Sequence, residues 1–333
     1  MVKRSATKGE SVSTNFKYSR LIGHMVDKRL LVSALLIPLF ILIYSIVTKL
    51  NIISVIESIR PMVILSFVAA YLTQVTTLSI RDVIITRMVG SVKLKLTTTL
   101  RARLAGNAVG LVIPGWIGPD LSRALRYSKD GMRLQEALSA SLSEAFYDVM
   151  GMCVMFVALF FILAHETIYI PFLLISLGNI AGWITAFVYF QANSQLNWLE
   201  AKAIQLMPYK TVISKIYEAV KGNFTKPIAK VKYFLSLLAL TSLGWTMNVL
   251  PFWYYTDSPR MALFAGFLYF VSGLIPIPAS AVGVPEVSLS LLLPARAVVQ
   301  IVVMETVSIA LGLLFLHEIN LSELKKIAKE IEK

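Results

Sequence analysis

Three carboxylates sit inside otherwise apolar sequence: Glu144 and Asp148, four positions apart, and Glu305. Residues four apart share one face of a helix. An aspartate at bilayer depth costs at least ~2.5 to 3.5 kcal/mol on insertion scales, so such groups pair with a cation or line a wet cavity. The arginines in range by sequence are Arg101, Arg103, Arg123, Arg126 and, nearer the other end, Arg296. One reading makes the acids plain interhelical struts. The other has Glu144, Asp148 and Glu305 carry protons or pair a cationic headgroup.

A second constellation lies at Pro114, Gly115, Gly118, Pro119, Asp120, Arg123 and Arg126. Proline followed by an acid is a helix-start signal, and a helix start after glycines presents bare amide donors to an anion. Arg123 and Arg126, three apart just beyond it, bring guanidinium forks that suit phosphate geometry. The combination fits a phosphate headgroup better than a sugar or a metal. The same arginines also read as the positive-inside residues of a short loop. A related pattern recurs as G-L-I-P-I-P-A-S-A-V-G-V-P-E, where Gly283 and Glu286 close the turn.

The first constellation interrupts an apolar run too short to cross ~30 Å of hydrocarbon, which takes about 20 residues as a helix, so it should dip into the bilayer and turn back. The second breaks the longer apolar stretch 261–294, which reads either as a second re-entrant segment or as one kinked full span. Composition agrees with a membrane setting: 56% of the 333 residues are hydrophobic, only 15% are charged, and mean hydropathy is +0.71. The net charge of +13 resides mostly in segments flanking apolar runs, which positive-inside topology explains without nucleic acid. The single cysteine, Cys153, lies in an apolar run and offers no disulfide framework.

The expected fold is all-α and polytopic, with about six full spans plus two re-entrant broken segments. A basic cytoplasmic tail, 1–29, leads into a first membrane repeat, 30–163, with spans at 30–47, 61–80 and 137–163. Between Arg81 and Arg103 six basic residues interleave with apolar ones, which predicts an interfacial amphipathic helix. A second repeat, 164–317, has spans at 168–190, 231–254 and 297–317, a basic cytoplasmic loop at 191–230, and a charged tail at 318–333. Charge places both termini in the cytoplasm and sends the two broken segments in from opposite faces, an inverted-topology repeat. Glu144 follows Pro114 by 30 positions and Glu305 follows Pro276 by 29, so each half places a carboxylate at a similar distance past its break.

The P-G-x-x-G-x-D-x-x-R pattern from Pro114 to Arg123, S-E-x-x-x-D at Ser143 to Asp148, and P-x-P-x-x-x-x-G-V-x-E at Pro276 to Glu286 resemble the flippase-like transmembrane region of lysylphosphatidylglycerol synthetases. The resemblance covers roughly residues 61–317. It implies movement of aminoacylated or other polar lipids between leaflets, with Asp120 and Arg123, Glu144 and Asp148, and Gly283 and Glu286 at the matching motif positions. This chain departs from the family pattern at Pro119, Ala145 and Ser280-Ala281.

The functional expectation is a lipid flippase or scramblase of the cell membrane for an anionic or phosphate-bearing lipid, such as a polyprenyl phosphate. Alternatives are an ion-coupled transporter of a small solute and a non-catalytic membrane subunit for a separate synthetase or glycosyltransferase; a homo-oligomer is compatible with each. No nucleophile elbow, Walker loop or zinc-type histidine pair is present in the sequence, so neither enzyme chemistry, a metal nor a cofactor is expected.

Overall fold

The computed structural model describes residues 39–110, 117–163, 166–193, 195–205, 210–275 and 283–318. All regular secondary structure among them is helical. Five helices are long and apolar enough to cross a bilayer: Pro61–Val89, Leu134–Leu163, Thr167–Ala192, Val231–Tyr255 and Ala295–Leu316. They coincide with five of the six expected spans. Of the remaining one, residues 39–47 form a helix, α1, and 30–38 lie outside the described residues, as do the tails 1–29 and 319–333.

Asn51 starts α2 (Ile52–Glu57) by accepting hydrogen bonds from the Ile53 and Ser54 amides, which meets two of the donors a helix start leaves open. Pro61 then opens α3 (Pro61–Val89), 29 residues and about 44 Å long at 1.5 Å per residue. This corrects the expected interfacial helix. Instead of lying on the surface, Arg81 and Asp82 continue α3 and are fully buried. Hydropathy ends the span at Ile80, but the helix ends at Gly90, where the amide still bonds the Thr86 carbonyl.

α4 (Leu96–Gly110) and α5 (Ile117–Lys129) form an antiparallel pair: Thr98 donates to Asp130 at one end, and Gly106 and Gly110 lie against Pro119 at the other. A Cβ on Gly106 would sit 3.1 Å from the Pro119 carbonyl, so glycine permits the close approach. The chain therefore turns back here. The expected break at Pro114 and Gly115 falls in 111–116, outside the described residues.

α6 (Leu134–Leu163) is the central helix. Small residues at Ala137, Ser139, Ala140, Ser141, Ser143, Ala145 and Gly151 let neighbours close on it, the usual device of helix packing in lipid. α7 (Ile170–Ala192) is peripheral and leaves most of its apolar surface exposed. α8 (Trp198–Gln205) and α9 (Lys210–Phe224) follow, and Tyr147 of α6 donates to the Pro227 carbonyl just beyond α9. α10 (Val231–Val249) packs along α3 with Gly244 against Leu78, and Pro251 converts its end to a 3-10 turn, Leu250–Tyr255.

α11 (Pro259–Ser272) is capped by Ser258, whose side chain accepts from the Met261 amide. It meets α12 (Val284–Leu289) through Ser272 and Ser288, 3.0 Å apart, with Gly273 beside Pro285. The intervening 276–282 are outside the described residues. α13 (Ala295–Ala310) continues as a 3-10 stretch, Leu311–Glu318, whose Gly312 lies on the Leu104 carbonyl of α4. Apolar clusters form around Phe67, Phe156 and Phe264, and around Ile85, Phe146 and Phe224. Arg81 and Asp82 of α3 and Asp148 of α6 fall where the two clusters meet.

Candidate functional site: a buried ion cluster and its cavity

Seven charged side chains from four helices converge between those clusters. Arg81 and Asp82 come from α3, Arg103 from α4, Asp120 and Arg123 from α5, and Glu144 and Asp148 from α6. Arg81 donates to Asp82 Oδ1 through Nε at 3.0 Å and Nη2 at 2.7 Å, and through Nη1 to Asp148 Oδ1 at 2.8 Å and Thr241 Oγ1 at 2.9 Å. Arg103 donates from Nε to Asp82 Oδ2 at 2.8 Å and from Nη1 to Asp148 Oδ2 at 3.2 Å. Each aspartate thus receives both arginines. This answers the desolvation penalty of charges at such depth, which only close pairing can offset.

The second layer is built on Arg123. It pairs with Asp120 one turn earlier, its Nε lies 3.0 Å from Glu144 Oε2, and its Nη1 lies 4.0 Å from Asp148 Oδ2. Tyr127 donates to the other Glu144 oxygen at 2.9 Å. α5 is pinned in this register by Ser141 of α6, which donates to the Asp120 carbonyl at 2.7 Å.

A cavity of about 300 Å³ opens beside the cluster. Its charged lining is Arg103, Asp120, Arg123, Asp148 and Glu305, and Trp245 of α10 adds an indole. Three donors of its lining residues are buried without a hydrogen-bond partner, Arg103 Nη2, Arg123 Nε and Trp245 Nε1, and of these Arg123 Nε lies 3.0 Å from Glu144 Oε2. Buried donors are rarely left so, and each calls for an acceptor. Across the cavity, Glu305 is 7% exposed and within ion-pair distance of no arginine or lysine among the described residues.

The expected site residues divide accordingly. Asp120, Arg123, Asp148 and Glu305 line the cavity, and Glu144 stands behind Arg123. Arg126 turns to Asp130 at 2.9 Å and does not line it. Gly118 is buried at the start of α5. Glu286 bends back to accept from the Gly283 amide at 2.7 Å, capping its own helix, and Gly283 takes φ +104°, a conformation glycine adopts without strain. Arg101 and Arg296 are exposed. Pro114 and Gly115 are outside the described residues. Arg81, Asp82, Tyr127 and Trp245 were not anticipated. Among the described residues no three His, Cys, Asp or Glu side chains group as a metal site.

A separate polar knot lies outside the spanning helices. Lys221 of α9, fully buried, donates to both Glu200 oxygens at 3.0 and 2.9 Å and to the Gln195 carbonyl at 2.9 Å, with the Tyr189 ring 5.0 Å away. Burial pushes the Glu200 carboxyl up, but the Asn197 amide, Lys221 and the Tyr217 hydroxyl outweigh it and bring it down to about 2.

No family model, no curated protein and no solved structure matches this chain.

Proposed function

We propose that this chain is a lipid flippase or scramblase whose cavity takes the phosphate of a polar lipid headgroup. The observation that carries the reading is the cavity of about 300 Å³ lined by Arg103, Arg123 and Trp245, of which Arg103 and Trp245 each keep a buried donor with no partner among the described residues. A phosphate oxygen supplies the acceptor both lack, and guanidinium-to-phosphate hydrogen bonds are among the stronger ones in proteins. The volume accommodates a headgroup, leaving acyl chains to the apolar surroundings. The three motifs resembling the lysylphosphatidylglycerol synthetase transmembrane region support the same reading. The cell membrane, with both termini cytoplasmic, is its proposed setting.

In this reading the α4–α5 and α11–α12 pairs are the re-entrant segments of an inverted repeat, entering from opposite faces. Cysteines placed at Gly115 and Ala279 and labelled from each side of the membrane test that geometry. Labelling of both from one side removes the repeat.

Transport is tested in proteoliposomes. Labelled phospholipid should change leaflets faster with protein than without, and Arg103→Lys should slow it. Lipid that stays put while a soluble substrate is taken up would favour a solute transporter. Inactivity toward both, with a synthetase or glycosyltransferase co-purifying, would favour the accessory-subunit reading.

A further inference from the structure

Among the acids of this region Glu305 stands apart. The cluster and cavity together hold three guanidiniums, Arg81, Arg103 and Arg123, against five carboxyls, Asp82, Asp120, Glu144, Asp148 and Glu305. Four of the five lie within 4.0 Å of an arginine nitrogen; among the described residues Glu305 has none so near. Acids outnumber cations by two where an uncompensated charge is expensive. Glu305 is the cavity-lining carboxyl with no arginine or lysine among the described residues beside it.

Among the described residues, the groups that face Glu305 leave it no other neutraliser. Tyr71 from α3 is near both Glu305 and Arg103 and accepts from Asn107 of α4 at 2.9 Å. Tyr269 from α11 lies in the field of Glu305 and Glu286, and Glu286 of α12 is held by its own helix start. Across the cavity stand Arg103 of α4, Asp120 and Arg123 of α5, and Asp148 of α6, each already in an ion pair. The 3-10 stretch after α13 is apolar over 311–316, and α2 carries only Glu57, exposed at the surface.

We propose that Glu305 is the proton site that couples headgroup binding to pH, an inference that rests on the cavity being the headgroup site. With the proton on, the carboxylic acid is neutral and lends a donor to the phosphate seated at Arg103 and Trp245. With the proton released to water in the cavity, the carboxylate and the phosphate repel one another within a single small space, and the headgroup leaves. One proton is thus taken up from water on binding and returned to it on release. Asp148 is held by Arg81 and Arg103, and Glu144 does not line the cavity, so neither meets the headgroup as Glu305 does.

The test uses the full chain in nanodiscs with short-chain phosphatidylglycerol as probe, binding measured across pH, and infrared difference spectra recorded on the same samples. Wild type should weaken about tenfold per pH unit above its midpoint, the slope for one linked proton. Glu305→Gln should bind with less than about twofold variation over that range and lose the protonated-carboxyl band, and Glu305→Asp should keep a pH slope. A Glu305→Gln variant with the wild-type slope and band overturns the proton role while leaving the headgroup site in place. So does a defect in that variant confined to amine-bearing phosphatidylethanolamine, which would make Glu305 a partner for ammonium. Wild type that binds the probe at no pH removes the headgroup reading and this inference together.

Discussion

Arg81 Nη1 and Asp148 Oδ1, 67 positions apart in the chain, meet at 2.8 Å between α3 and α6 with the arginine fully buried. Arg103 reaches the other oxygen of the same carboxylate, so Asp148 ties α3 and α4 to the central helix. Arg103 and Asp148 both line the cavity. A change in the pair is therefore felt both in stability and in the position of Arg103.

Removing one member strands the others. Arg81→Met leaves Asp82 with Arg103 alone and Asp148 with Arg103 and the more distant Arg123, and should cost about 3 to 5 kcal/mol, the penalty for breaking a buried pair. Arg81→Met combined with Asp82→Asn removes a cation and an acid together and should cost less than the sum of the single changes. A double-mutant cycle by denaturant unfolding in detergent micelles measures the difference, with a coupling of roughly 0.5 to 3 kcal/mol expected. Strict additivity would mean the two charges are not sharing a network.

Arg103 and Arg126 should separate in transport. Arg103→Lys keeps a charge but loses the planar fork and the unsatisfied Nη2, and should slow lipid movement at least ~10-fold, since 1.4 kcal/mol of lost guanidinium contact suffices. Arg126, turned to Asp130 and off the cavity, should tolerate glutamine with less than about twofold change. Equal losses in both variants would point to a diffuse surface effect of charge rather than a seated phosphate.

Packing reaches the site through Gly151. A Cβ there would lie 2.7 Å from Thr241 Cγ2, and Thr241 Oγ1 accepts from Arg81 at 2.9 Å. Gly151→Ala should therefore destabilise by about 1 to 3 kcal/mol, as overpacked cores do. Thr241→Ser deletes the offending methyl and keeps the hydroxyl, so adding it should restore most of the loss in a thermal melt. Failure of that rescue would place the strain elsewhere along α10.

The sequence showed that Glu144 and Asp148 need partners, because carboxylates inside an apolar run must be neutralised, and it named Arg103 and Arg123 among the candidates. It hid Arg81 and Asp82. They follow the apolar run directly and precede a basic stretch, so mean hydropathy and charge both read them as surface. Their neutralising groups come from α4 and α6, far away in the chain, and no local window reports that. Arg126 illustrates the reverse error: its spacing from Arg123 suggested a shared phosphate, but Asp130, one turn on, takes it first. Trp245 falls inside the 231–254 span, where nothing in the sequence marks it out, and only the folded structure shows that its buried N–H has no partner.

The knot outside the spans gives a prediction in pH. Glu200 titrates at about 2 in the folded chain against an ordinary value of 4.5, the Asn197 amide, Lys221 and Tyr217 outweighing the opposing effect of burial. A depressed carboxylate stabilises the fold in full above its unfolded value, and that contribution fades as pH falls from 4.5 toward 2. Glu200→Gln should therefore be less stable than wild type at pH 7 and 5, and the gap should close between pH 4.5 and 2.5. Limited proteolysis of the 191–230 segment, run on both proteins at each pH, follows the gap where α8 and α9 are joined. A gap that stays constant down to pH 2.5 would show that Glu200 contributes through shape and hydrogen bonding, with its charge irrelevant to how Lys221 is held.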